Sequence, residues 1–178
     1  MFKVFFLTVL LLCSCSDIGK EAKLSKIKAL QSKLSKNKKS FEAMKVDTLF
    51  IMKQRSSDLE RKLKQNYKSD SVDLNLGRRI DAYKRMRRMF GPLGALGTKL
   101  SNAFNEESLQ LQHLYYDVEN GFGPRDKYDE YIRLENKKCS QISILLADYL
   151  RIKTEAFEIY ANEHRFVVDF VQQILKKE

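Results

Sequence analysis

Apolar residues in this chain recur at alternating steps of three and four, the spacing of a helix that buries one stripe. The first seam runs Ile27, Leu30, Leu34, Asn37, Phe41, Met44, Thr48, Ile51. Asn37 and Thr48 are its polar members, and a buried Asn can set register. Beyond Ile51 the phase slips, and Leu59, Leu63 and Tyr67 carry the pattern to Ser69-Asp70-Ser71, a turn signal. A second helix is predicted from about Asp73, on Leu76, Ile80, Tyr83, Met86, Phe90, Leu93, Leu100, Phe104, Leu111, Leu114 and Val118. Asn120-Gly121-Phe122-Gly123-Pro124 stops it. A third helix runs from near Arg125 almost to the end, on Ile142, Leu145, Tyr149, Ile152, Ala156, Ile159, Glu163, Phe166 and Phe170.

Glycines 91, 94 and 97 and Pro92 interrupt the second pattern, as a kink or a turn. Lengths favour a kink. At 1.5 Å per residue the first helix, 24–68, would be about 68 Å, the second about 70 Å and the third about 78 Å. Rods of similar length pack without leaving a seam bare. The predicted fold is all-α: a long, coiled-coil-like antiparallel three-helix bundle over 24–178, with its second helix kinked or broken at 91–97.

The N-terminus follows another pattern. Lys3 precedes an apolar run from Val4 to Leu12, broken only by Thr8, and then Cys13-Ser14-Cys15-Ser16. A charged start, a short apolar stretch and a small residue mark a secretory signal. The run is shorter than the roughly 20 residues that a spanning helix needs. Leu12-Cys13-Ser14-Cys15 resembles the lipobox of bacterial lipoproteins, with Cys13 where Ala, Ser or Thr is usual. The resemblance covers about the first 15 residues. It implies cleavage after residue 14, lipidation of Cys15 and membrane attachment through that lipid, with residues 15–23 as lipidated N-terminus and tether. Ser16 after the cysteine implies outer-membrane sorting. The anchor and the second turn, near Gly121, would then share the membrane-proximal end.

Composition agrees with helices: among 178 residues there are 7 Gly, 2 Pro and no Trp. Charge is asymmetric. The net +10 divides into +14 over residues 1–99 and −4 over 100–178. The densest basic stretch holds Arg78, Arg79, Lys84, Arg85, Arg87 and Arg88. It reads either as a surface for an anionic partner, an envelope protein or an anionic polymer, or as a solvated face beside an acidic helix. Export argues against nucleic acid. By the bundle geometry this stretch would lie in the distal half, away from the anchoring membrane. An alternative function uses Phe90, Leu93 and Leu96 as an apolar loop for a ligand or a membrane.

No chemistry-bearing motif stands out. His113 and His164 lack partners at ligand spacing, so no metal is predicted. Asp117, Glu119, Asp126, Asp129 and Glu130 do not match a calcium loop. The glycines at 91–97 lack the Lys-Ser/Thr of a phosphate loop, and GxSxG is absent. Neither an enzyme nor a cofactor is expected. Cys139 is left alone once Cys13 is removed and Cys15 acylated, as core filling or an intermolecular thiol. Tyr115, Tyr116, Phe122, Tyr128 and Tyr131 gather at the second turn, to plug the end of the bundle or to stack on sugars.

Overall fold

The structure, a computed structural model, describes residues 17–44, 48–68 and 73–176. Among these residues there is no strand. Helix α1 spans Asp17–Ala43, α2 Leu49–Asn66, α3 Leu74–Asn120 and α4 Tyr128–Leu175, with a 3-10 turn at Arg125–Lys127. The expected signal peptide 1–14, the expected lipidation site Cys15 and the expected turn at Ser69-Asp70-Ser71 lie outside the described residues. No described helix is long and apolar enough to cross a membrane.

The chain forms two compact units, each packed from three helical segments. The first holds α1, α3 from Ser101 and α4 as far as Ile144. Leu24, Ile27, Leu30, Leu34 and Phe41 of α1 are buried, with Phe104, Leu111, Leu114 and Val118 of α3 and Ile132, Cys139 and Ile142 of α4. Gln31 donates to the Leu111 carbonyl at 3.2 Å, and Lys38 to the Asn105 side chain at 2.9 Å. Asn37, the polar member of the first seam, donates to Ser143 Oγ at 2.9 Å. In this unit α1 therefore runs antiparallel to α3 and parallel to α4.

The second unit holds α2, α3 up to Leu100 and α4 from Leu145. Met52 and Leu63 of α2 pack with Leu76, Ile80, Tyr83, Met86 and Phe90 of α3 and with Ala156, Val167 and Val171 of α4.

Local chemistry explains the helix ends. Asp73 Oδ1 accepts from the amides of Asn75 and Leu76 at 2.9 and 3.0 Å, so a carboxylate caps α3. At the other end Gly121 takes φ 69° and the Phe122 amide bonds the Asp117 carbonyl at 2.9 Å, a left-handed C-terminal cap. The Tyr128 hydroxyl reaches back to the Phe122 carbonyl at 2.6 Å and pins this turn.

Four expectations need correction. The single helix 24–68 is two helices, and Met44, Thr48 and Ile51 of its predicted seam are exposed. The buried positions restart on α2 at Met52, in the other unit and in a new phase. The expected tether is helical from Asp17. On α4 the core line lies one residue on from the expected one in two places, at Leu146 and at Val167 and Val171. Leu145, Phe166 and Phe170 are half-buried at its edge.

The fourth correction concerns residues 90–97, which are helical throughout. Phe90 and Leu93 are buried and Leu96 is half-buried, so the expected apolar loop is core and its margin. Pro92 lies on the exposed side of the helix, as does Arg88, whose carbonyl it leaves without an amide donor. An interior proline costs about 3 kcal/mol and each glycine up to about 1 kcal/mol. Burying Phe90, Leu93 and Leu100 at roughly 1.5–3 kcal/mol each is of the size to offset this.

A Cβ at Gly94 would meet nothing within 4 Å. Gly94→Ala is therefore expected to stabilise the protein by about 0.5–1 kcal/mol. A urea melt checks this, and a loss of stability would mean that the helix does not run through 91–97.

Candidate functional site

The basic stretch lies on α3, and helical geometry divides its six cations. Arg79 and Arg87 stand four residues either side of Tyr83, at the margins of the buried line, and are drawn onto neighbouring helices. Arg79 Nε donates to Glu163 Oε2 at 2.7 Å, and its guanidinium lies 3.6 Å from the centre of the Phe166 ring. Arg87 Nε donates to Glu60 Oε2 on α2. Lys84 makes a loose pair with Asp81 at 3.5 Å, and Arg85 with Glu155 at 3.8 Å.

Arg78 and Arg88 make no ion pair among the described residues. Both are exposed, as is Arg85. Steps of seven and three residues put Arg78, Arg85 and Arg88 on one face of α3. The predicted patch thus divides: Arg79 and Arg87 hold the unit together, Arg78, Arg85 and Arg88 face outward, and half-buried Lys84 pairs with Asp81 on its own helix.

Glu60 is the acidic residue that the periodicity did not reveal as functional. It occupies a core-facing position, four residues after Ser56 and three before Leu63, and is only 8% exposed. Burial by itself raises its pKa, but hydrogen bonds from Lys64 and Arg87 outweigh burial and hold it below the ordinary value. Lys64 Nζ sits 2.9 Å from Oε1 while Arg87 takes Oε2. Around this carboxylate lies an open cleft of about 420 Å³, lined by Ser57, Glu60, Arg61, Lys64, Gln65 and Arg87. Arg61 also pairs with Asp58 at 3.0 Å. The i, i+4 pair Glu60/Lys64 and the neighbouring Arg61 were the available sequence signal, lost among many charged residues.

Two further polar clusters were not foreseen. In the second unit, the Tyr83 hydroxyl lies 2.7 Å from His164 Nδ1 and 3.3 Å from Ser56 Oγ. Burial pushes the Tyr83 pKa up to about 12 and lowers that of His164. Tyr160 stacks on His164 at 4.2 Å. With Tyr83 and Ser56 buried, this is a hydrogen-bond network inside the core.

In the first unit, the buried Cys139 thiol donates to Glu107 Oε1 at 3.6 Å. Its pKa is pushed up to about 12 by burial and by the Glu107 carboxyl, so it is an inert core group. No group of three or more metal-ligating side chains occurs among the described residues. His113 is exposed.

The aromatics at the second turn separate too. Tyr128 is buried and closes the end of the first unit, whereas Tyr116 and Phe122 are exposed, their ring centres 5.7 Å apart. Tyr115 lies under Lys28 at 5.3 Å.

The chain matches no model of a known protein family, no characterised protein and no solved structure.

Proposed function

We propose that this is a lipid-anchored interaction protein of the bacterial cell envelope. Cys15 carries the lipid, the outer membrane is the favoured site, and an outward basic face engages an anionic partner. The framework is all-helical, without catalytic machinery, and acts as a scaffold. The partner is an envelope protein or an anionic polymer. The observation that carries this reading is the outward face of Arg78, Arg85 and Arg88, whose charge no buried carboxylate takes up. The lipid anchor rests on the Leu12-Cys13-Ser14-Cys15 pattern alone. Phe90 and Leu93 are buried, which leaves the apolar-loop alternative without support.

Two measurements test it. A fatty-acid analogue fed to producing cells should label the wild type and not Cys15→Ala; equal labelling would remove the anchor. The triple variant Arg78→Gln, Arg85→Gln, Arg88→Gln should melt almost as the wild type does, because exposed changes move stability by about 0.5 kcal/mol or less each. Co-purification of envelope partners with it should fall, and the wild-type interaction should weaken with salt. An unchanged partner profile with intact folding would reduce this face to a solvated surface.

A further inference from the structure

The cleft between α2 and α3 is better built than the outward face. One buried carboxylate sets two cations side by side: Glu60 Oε1 holds Lys64 and Oε2 holds Arg87. Arg87 spends only Nε on Glu60, so the forked end of its guanidinium keeps its donors. Lys64 spends one of three N–H groups. Arg61 stands beside them on α2, oriented by Asp58. The lining thus has three cations against the single carboxylate of Glu60, in about 420 Å³, within the size range of small-molecule sites.

More positive charge lies close by. Lys84 lies one turn before Arg87 on α3, and the Lys53 ammonium would stand 3.8 Å from a Cβ at Gly91. Asp58 and Asp81 offset part of this charge. Two cations held in place by a shared counter-ion have already lost the side-chain entropy that binding would otherwise cost.

We propose that this cleft binds a tetrahedral oxyanion, the phosphate or sulfate ester of a larger anionic molecule. Arg87 supplies two parallel donors, and Lys64 and Arg61 supply charge on the other side. Planar guanidinium forks match oxyanion geometry, and lysine adds a point charge. Glu60 is a positioning residue: it touches the cations and not the ligand. The inference rests on the anionic-partner reading for its biological setting, and it is tested without that partner.

The full-length protein is titrated at low salt with inorganic phosphate and with inorganic sulfate, by calorimetry. Saturable binding of at least one is expected. Dextran phosphate and dextran sulfate then separate the two ester chemistries, and the source whose ester fits binds more tightly. Arg61→Gln with Lys64→Gln leaves the Arg87–Glu60 pair in place and should weaken binding at least tenfold. Arg78→Gln with Arg85→Gln removes the same charge from positions about 180° and 200° round α3 from Arg87 and should change it less than threefold. Absence of saturable binding, or equal losses in the two double variants, would overturn the cleft; the second result would leave only a diffuse field. Oxyanion binding as expected, with an unchanged partner profile in the outward triple variant, would keep the cleft and remove the outward-face reading. The converse would do the reverse.

Discussion

Glu107→Gln is expected to make the protein more stable at pH 8 and to flatten its stability between pH 5 and pH 8. Glu107 is only 4% exposed, on the α3 face that meets α4 in the first unit. Burial, then a hydrogen bond and repulsion from the Glu135 carboxyl, raise its pKa from 4.5 to about 7. Lys138 and the Cys139 thiol act in the opposite direction and are outweighed. Below pH 4.5 the group is protonated in both folded and unfolded chains. Between there and about 7 the unfolded chain loses its proton first, so folding takes one up and stability falls as pH rises.

That loss is complete about one unit above pH 7, once the folded group has ionised too, and amounts to about 3 kcal/mol at 1.36 kcal/mol per unit. Gln at position 107 stays neutral and can still donate to Glu135. Urea melts of both proteins across the range measure the difference, from which His164 and the other groups common to both cancel. Parallel curves would show that Glu107 is already ionised in the fold.

Arg87→Ala should cost about 3 kcal/mol, while Arg88→Ala, its neighbour in the chain, should cost about 0.5 kcal/mol or less. The first leaves Glu60, 8% exposed, with Lys64 as its remaining partner, and a half-compensated buried carboxylate is expensive. The second removes a cation with no ion pair among the described residues. The Glu60 pKa is depressed in the fold. Its contribution is therefore present above the ordinary carboxylate value and lost as pH falls through the lowered one. The gap between wild type and Arg87→Ala should narrow in acid for this reason. A large effect of Arg88→Ala, or none of Arg87→Ala, would exchange the structural and outward roles assigned to them.

Much of the helical framework was legible in the residue order. All eleven apolar positions of the second seam, from Leu76 to Val118, are buried, and Asp73 and Gly121 bound the helix. Period, cap and left-handed glycine are local properties, and a helix reports its apolar face through its own repeat. The concentration of cations on α3 was equally visible, because charge is composition.

What the neighbours do was not visible. The phase slip beyond Ile51 was legible, but the three-four rhythm through Met44, Thr48 and Ile51 did not mark that the chain leaves one unit there and enters another. Gly91, Pro92, Gly94 and Gly97 left a kink or a turn open, with lengths favouring a kink, because helix propensity is local, whereas the burial of Phe90, Leu93 and Leu100 against other segments decides that the helix runs on. The same holds for charge. Arg87 and Arg88 are alike as neighbours in sequence, but one step along a helix is a 100° turn. That turn puts one guanidinium on the buried Glu60 and leaves the other facing outward. Periodicity shows which side of a helix is apolar; only packing shows which carboxylate waits across the gap.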